Sequence, residues 1–349
     1  MAVMVTGIGH VGGYIVRDLL EAGEDVVIFG YFGGNGDPEG PLPDLEYVDF
    51  LVNGDLRDRV TVVVGDVSDL RALTQAAEQH DVRSIIHLAA IISTAAEQRP
   101  IDAVRVNVEG SANIFELGTR LEMEKVVWAS SIEVFGPRSV HPGGYVDDDS
   151  PRDPVFTYGA TKAMVEKLAE RHSASMGLDI TGLRLSRVYG FGEHVKVQRG
   201  GGTSWMSPLV WSATIGEGPC VVPFGARSVD FHYIEDVSRA FVTALAHRGG
   251  QGETYLLHGD LRPLTEAVDF VKRLIPDTDL TLDEADGPLP AGSTISWSRR
   301  YDASRAEREL GIKSNFTMEE GLFRTINHNR QYVGLPVVEA PKDLKDLLH

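Results

Sequence analysis

The segment Tyr158-Gly159-Ala160-Thr161-Lys162 places a phenol and an ammonium four residues apart. On a helix this spacing puts both side chains on one face, one turn from each other. A free tyrosine has a pKa near ~10, so its phenolate is scarce at neutral pH. A neighbouring ammonium favours the phenolate and lowers that pKa, which makes Tyr158 a usable general acid/base at a hydroxyl or carbonyl. Upstream, Ser130-Ser131 ends an apolar strand pattern. The Ser131 hydroxyl can hold a substrate oxygen beside the phenol. Ser131, Tyr158 and Lys162 are the candidate catalytic residues.

A second constellation opens the chain. Gly7-Ile8-Gly9-His10-Val11-Gly12 lies between the β-prone run Ala2–Thr6 and the helical pattern Val11–Ala22. In such a turn the first glycine permits the tight bend and the second lets backbone approach a pyrophosphate. The third packs helix against sheet. The helix N-terminus then offers free N–H groups and partial positive charge to the phosphates. Gly7, Gly9, His10, Val11 and Gly12 are therefore expected to bind a nicotinamide dinucleotide. An acid at the end of the second strand would bond the adenosine ribose. Gly30-Tyr31 stands there instead, so this position does not settle NAD against NADP; NAD is expected, with NADP left open. Asp37, Arg57 or Arg59 could reach in from the long second loop. Asp66, in Gly65-Asp66-Val67, either faces the adenine amino group or serves as a cap or turn residue.

The elements that must position these residues alternate. Asp25–Phe29, Arg59–Val64, Arg83–Leu88, Lys125–Ala129 and Asp179–Leu185 read as strands. Asp69–His80, Ile101–Leu121 and Thr157–Met176 read as helices. Apolar strands alternating with helices indicate a parallel sheet covered on both faces. Right-handed crossovers make it an α/β, Rossmann-like, doubly wound sheet. The rhythm weakens after Gly190, where Gly, Pro, Trp and Phe alternate with shorter helical pieces. The expected organisation is a dinucleotide-binding domain over 1–190, with part of 220–260 returning to it. A smaller irregular C-terminal substrate lobe spans 191–331, and a tail spans 332–349.

Composition bounds the partners. The 349 residues carry 51 acids against 33 bases, a formal charge of −18, which repels nucleic acid over most of the surface. A single cysteine, Cys220, allows no intrachain disulfide and fits a cytoplasmic location. No signal peptide, membrane span or metal-ligand spacing is expected. A small-molecule substrate is.

Together these motifs resemble the extended short-chain dehydrogenase/reductase family, the NAD-dependent epimerase/dehydratase group. The match runs through Thr6–Gly12, Gly65-Asp66, His87-Leu88-Ala89-Ala90, Asn107, Ser130–Gly136 and Tyr158/Lys162. Arg184…Tyr189-Gly190, Asp230–Val237 and Asp302–Ala306 extend it, so that it covers about residues 2–330. The resemblance implies that Lys162 binds the nicotinamide ribose and lowers the Tyr158 pKa. It implies that Leu88, Ala89, Ala90, Val67 and Val188 lie along the cofactor, and that Asn107 either bonds the backbone near the cofactor or packs within its helix. It also implies a homodimer through the helices Ile101–Leu121 and Thr157–Met176.

The chain departs from that family in four places. Its glycine turn is one residue shorter between the first two glycines. Ile132 replaces the acid that helps sugar dehydratases expel water, although Glu133 follows it. Arg187 stands at a usual Asn, and Val229 at a frequent Arg. Glu133, Arg187 and Trp205 are the candidate substrate contacts, with Met206, Trp211 and Phe231 as further cover or as core. Arg187 either binds an anion or pairs with a local acid. The leading expectation is an NAD(P)-dependent oxidoreductase interconverting a secondary alcohol and a ketone. The alternatives are an epimerase passing through a transient keto intermediate on a sugar or nucleotide sugar, and a catalytically inactive dinucleotide sensor.

Overall fold

Alternate residues of each strand feed two different cores, one on each face of a parallel sheet. The computed structural model describes residues 2–31, 43–52, 54–198, 206–283, 298–340 and 342. Seven parallel strands form its centre: β1 (Ala2–Thr6), β2 (Asp25–Gly30), β3 (Val60–Val64), β4 (Val82–His87), β5 (Lys125–Ser131), β6 (Ile180–Leu185) and β7 (Gln251–Leu256). Their order is β3-β2-β1-β4-β5-β6-β7. The order reverses between β1 and β4, and ligands of open α/β sheets bind at the strand ends outside such a point.

Five helices cover the faces: α1 (His10–Glu21), α2 (Leu70–Gln79), α3 (Gly110–Arg120), α4 (Thr157–Met176) and α5 (Ile234–Ala246). Val3, Val5, Val127 and Ala129 join one core with residues of α1 and α5, including Ile15, Leu19, Val237 and Phe241. Met4, Val126 and Trp128 join the other with Leu73, Ile114, Phe115 and Val165 of α2, α3 and α4. This two-sided burial is why β1 and β5 read as unbroken apolar runs.

The strands and helices of the first half fall where the sequence places them, within two residues at their ends. Asp69 lies outside α2 as its N-cap, accepting from the Arg71 and Ala72 N–H groups at 3.0 Å. One expectation fails in detail. The stretch read as a single helix over Ile101–Leu121 is a short α-turn, Pro100–Ala103, then a π-helical turn, Val104–Glu109, then α3. The π-turn brings Asn107 inward, where it is fully buried.

Beyond β6 the chain builds smaller sheets. Strand Arg187–Tyr189 runs parallel to Ser228–Tyr233, which pairs antiparallel with Asp260–Pro263. The chain then rejoins the main sheet at β7, which pairs with β6. Among the described residues, no helix is long and apolar enough to cross a membrane.

A buried charge cluster ties β5, β6, β7 and α4 together. Arg184 donates to Glu166 from Nε at 2.7 Å and from Nη2 at 3.0 Å, and to Asp148 from Nη1 at 2.6 Å. Ser130 and Arg152 also donate to Glu166, and the Leu256 N–H to Asp148. Burial pushes the Glu166 pKa up, but Arg184 and Arg152 outweigh it and hold the carboxyl below its ordinary value. At Asp148 burial wins and the pKa rises. Truncation of Arg184 to alanine would strip Asp148 of its ion-pair partner and leave Glu166 to Arg152 alone. Arg184→Ala is expected to destabilise the protein by about 3–5 kcal/mol, read from urea unfolding. A loss below about 1 kcal/mol would mean that the cluster behaves as if solvated.

Candidate active site

Gly7 follows β1 with φ +79°, and a Cβ built on it would sit 2.6 Å from the backbone N and Cα of Ala89. The turn after β1 and the turn after β4 thus touch through main chain alone. A Cβ on Gly12 would lie 2.8 Å from the Gly7 carbonyl oxygen, so the first turn of α1 is pressed onto the same loop. Gly9 caps α1 without any side-chain hydrogen bond, and no acid lies in the first helical turn. The N–H groups there remain for an anion. This cradle, which a side chain would fill, fits a dinucleotide pyrophosphate. Val11 packs toward the core. The His10 imidazole turns away from the turn and donates from Nε2 to the Gly190 carbonyl at 3.3 Å, so at this position the main chain serves the turn.

The loop after β4 is set by a buried polar chain. Ser111 donates to the Asn107 carbonyl at 2.6 Å, so its oxygen accepts from His87 Nε2 at 3.0 Å. His87 Nδ1 therefore accepts from the Thr6 hydroxyl at 2.6 Å. His87 is a satisfied core histidine, and burial with the nearby Lys162 charge pushes its pKa down to about 3. Asn107 accepts from the Ile91 N–H at 2.7 Å and donates to the Ile91 carbonyl at 2.9 Å and to Thr161 at 3.0 Å. Its amide is spent on backbone, as the first of its two expected roles has it: Asn107 holds the strip Leu88-Ala89-Ala90-Ile91 against α4. Thr161, the partner that the sequence reading passed over, sits inside the Tyr158–Lys162 motif itself.

The other residues expected along the cofactor are packed as follows. Val67 is buried against Gly110, where a Cβ would meet its Cγ2 at 2.6 Å. Val188 is buried in the core on the α1 side. Asp66 accepts from the Ser68 N–H at 2.9 Å and the Ser68 hydroxyl at 2.8 Å, which is the turn role. Its other oxygen lies 3.8 Å from Arg105. Arg57 pairs with Asp49 and Arg59 with Asp25. Asp37 lies outside the described residues, and Tyr31 is exposed at the end of β2.

Ser131, Tyr158 and Lys162 do converge. A Cβ on Gly159 would lie 2.0 Å from the Glu133 carbonyl oxygen, so α4 begins in main-chain contact with the loop after β5. That contact brings the Tyr158 phenol within hydrogen-bonding reach of the Ser131 hydroxyl. Ser131 also accepts from the Glu133 N–H at 3.2 Å. Lys162 is buried beneath, donating to the Ala129 carbonyl at 2.7 Å. One electrostatic expectation is corrected. Burial pushes the Tyr158 pKa up; the Ser131 hydrogen bond opposes this and the Glu133 charge adds to it. The Lys162 ammonium lies 5.8 Å from the phenol ring centre and is committed to Ala129, so it does not offset the lost solvation. Burial holds Lys162 itself down to about 8.

On the substrate side, Glu133 is half-buried beside Tyr158. Arg187 pairs with Glu193 at 3.1 Å and donates to the Val188 carbonyl, which is the local-acid outcome. Met206 and Phe231 are buried core residues, and Trp211 stacks on His194. Trp205 lies outside the described residues.

Comparison with known proteins meets this geometry. The family model described as "NAD dependent epimerase/dehydratase family" matches residues 3–257. The chain belongs to that family. It is accordingly an NAD-dependent enzyme of the extended short-chain dehydrogenase/reductase type, acting by hydride transfer. It is 27% identical to UDP-glucuronate 4-epimerase 3 of Arabidopsis thaliana over 92% of this chain and 74% of that one. Its fold matches the UDP-glucose 4-epimerase of Thermotoga maritima solved with UDP-glucose (TM-score 0.76, 21% identity, 95% and 100% of the chains covered). It also matches the UDP-glucuronic acid 4-epimerase of Bacillus cereus solved with UDP-glucuronic acid and NAD (TM-score 0.75, 20% identity, 95% and 99% covered). The glycine cradle, with Leu88 to Ala90 beside it, would hold the family's NAD.

Because folding disfavours a charged Lys162 below about pH 8, its penalty is fully present there. It fades as pH rises toward the ordinary lysine value of 10.5, where the unfolded chain also loses the proton. Lys162→Met is therefore expected to stabilise the fold at pH 7 by about 1–2 kcal/mol while abolishing turnover. The margin should shrink above pH 8 in urea unfolding series; a margin that grows with pH contradicts the burial account.

Proposed function

We propose that this enzyme interconverts two epimers of a nucleotide-linked sugar or sugar acid through a transient ketone. The carrying observation is a complete Ser131/Tyr158/Lys162 set beside the glycine cradle, with buried Ile132 where loss of water would need an acid. Ser131 holds the substrate hydroxyl, and Tyr158 takes its proton. NAD, when bound, supplies a reversible hydride acceptor. The raised Tyr158 pKa makes the phenol a poor base by itself, so Lys162 must release Ala129 or act from closer range as the site fills. Tyr158 then returns the proton to the other epimer. Ile132 offers no proton to a leaving hydroxyl, which directs the ketone back to alcohol rather than to dehydration. The 4-epimerase relatives support this reading.

Incubation of the protein and NAD with UDP-glucuronate or UDP-glucose is expected to yield the 4-epimer by NMR, with no net NADH absorbance. Steady NADH accumulation without epimer would favour net alcohol oxidation instead. Tyr158→Phe should lower turnover by about 100-fold or more and leave NAD binding intact.

We also infer a homodimer. Ile101 and Val104, on Pro100–Glu109, and Met164, on α4, are apolar side chains left 81%, 49% and 54% exposed. Pairing of these helices with their copies would cover them. Light scattering should give twice the 38.1 kDa chain mass, and Ile101→Asp with Met164→Asp should halve it. A wild-type monomer at micromolar concentration would refute the pairing.

A further inference from the structure

An ammonium taken out of water needs other groups around its charge. Lys162 is 1% exposed. Its Nζ carries three N–H donors and gives one of them to the Ala129 carbonyl at 2.7 Å. Among the described residues no acid pairs with it, and burial alone accounts for its lowered pKa. The titratable groups nearby do not fill the gap. His87, on β4, feels the Lys162 charge and is neutral. Glu166, one turn further along α4, accepts from Arg184, Arg152 and Ser130. Glu133, in the loop after β5, acts on Tyr158.

Two aromatic rings border the charge. Nζ lies 5.7 Å from the ring centre of Trp128 and 5.8 Å from that of Tyr158. Both distances fall inside the ~6 Å range in which the negative face of a ring attracts a cation. Indole is the strongest of the three aromatic side chains in this role, and the attraction grows where water is absent.

The sheet is built to admit that indole. Trp128 is fully buried on β5, directly opposite Gly182 of β6. A Cβ on Gly182 would meet the Trp128 Nε1 at 2.8 Å. A glycine inside a strand marks such a close approach. Phe115 of α3 packs edge-on against the indole at 6.4 Å. The indole N–H is sealed from solvent and makes no hydrogen bond. Hydrogen bonding therefore does not account for a tryptophan here, whereas its ring face does meet a buried charge.

We propose that Trp128 is a positioning residue for proton transfer: its ring face stands in for a counter-ion and holds the Lys162 ammonium charged and in place beside Tyr158. Without that face the ammonium would keep only the Ala129 carbonyl and the Tyr158 ring. The proposal concerns Lys162 itself and is independent of which sugar is the substrate.

The test is the Lys162 pKa, read by NMR of the full chain carrying lysine isotope-labelled at Cε. The Lys162 signal is identified by its loss in Lys162→Met. No substrate is needed, so a wrong sugar assignment leaves the result intact. The wild-type value is expected at about 8. Fluorination of the indole at position 128 keeps its shape and drains negative charge from its face. Successive fluorine atoms should lower the pKa in steps, to a total of about half a unit, or about three-fold in the protonation equilibrium. Trp128→Leu removes the face and should lower the pKa by about one unit, or about ten-fold. Trp128→Phe keeps a ring and should lower it by less. A pKa that stays put or rises on fluorination overturns the proposal, and so does an equal shift in the Leu and Phe variants. Should Trp128→Leu fail to fold, the near-isosteric fluorinated series decides alone.

Discussion

Two loops meet at Gly7 and Ala89 with no room for a side chain between them. The rest of the site depends on that contact. It closes the gap at the point where strand order reverses, and it aims the bare N-terminus of α1 across the strand ends. It also starts the strip that Asn107 pins to α4. The Thr6–His87–Ser111–Asn107 chain runs directly behind it and is sealed from water. Buried polar groups of this kind are stable only when every member is paired. The cradle and the proton-transfer residues are thus parts of one hydrogen-bonded unit, linked through Asn107 and Thr161.

Electrostatics at the acid/base is governed by burial before it is governed by charge pairs. Both Tyr158 and Lys162 are pushed toward their neutral forms, the phenol upward and the ammonium downward. The nicotinamide ribose, which the family resemblance assigns to Lys162, gives the ammonium a partner other than Ala129.

Much of this was legible in the residues. Strand and helix positions followed from apolar runs and periodicity, because both sheet faces are buried. The glycine turn and the Tyr158/Lys162 pair followed from spacing. What escaped was tertiary. The π-turn at Asn107 looks like ordinary helix until its amide finds Ile91 and Thr161. The packing of Val67 and Val188 is decided by which side of the backbone faces the core. The Arg187–Glu193 pair needed a fold to reveal which acid lay near. The pKa of Tyr158 could not be read from a four-residue spacing, since that spacing brings the ammonium over the ring rather than against the oxygen.

Gly159 against the Glu133 carbonyl has a consequence for redesign. The separation between oxygen-holder and acid/base is set by touching main chains, so it survives wholesale change in the second half. β7 and α5 lie beyond Gly190 yet belong to the main sheet and its cover, so only the segments outside them can be exchanged around a fixed chemical head.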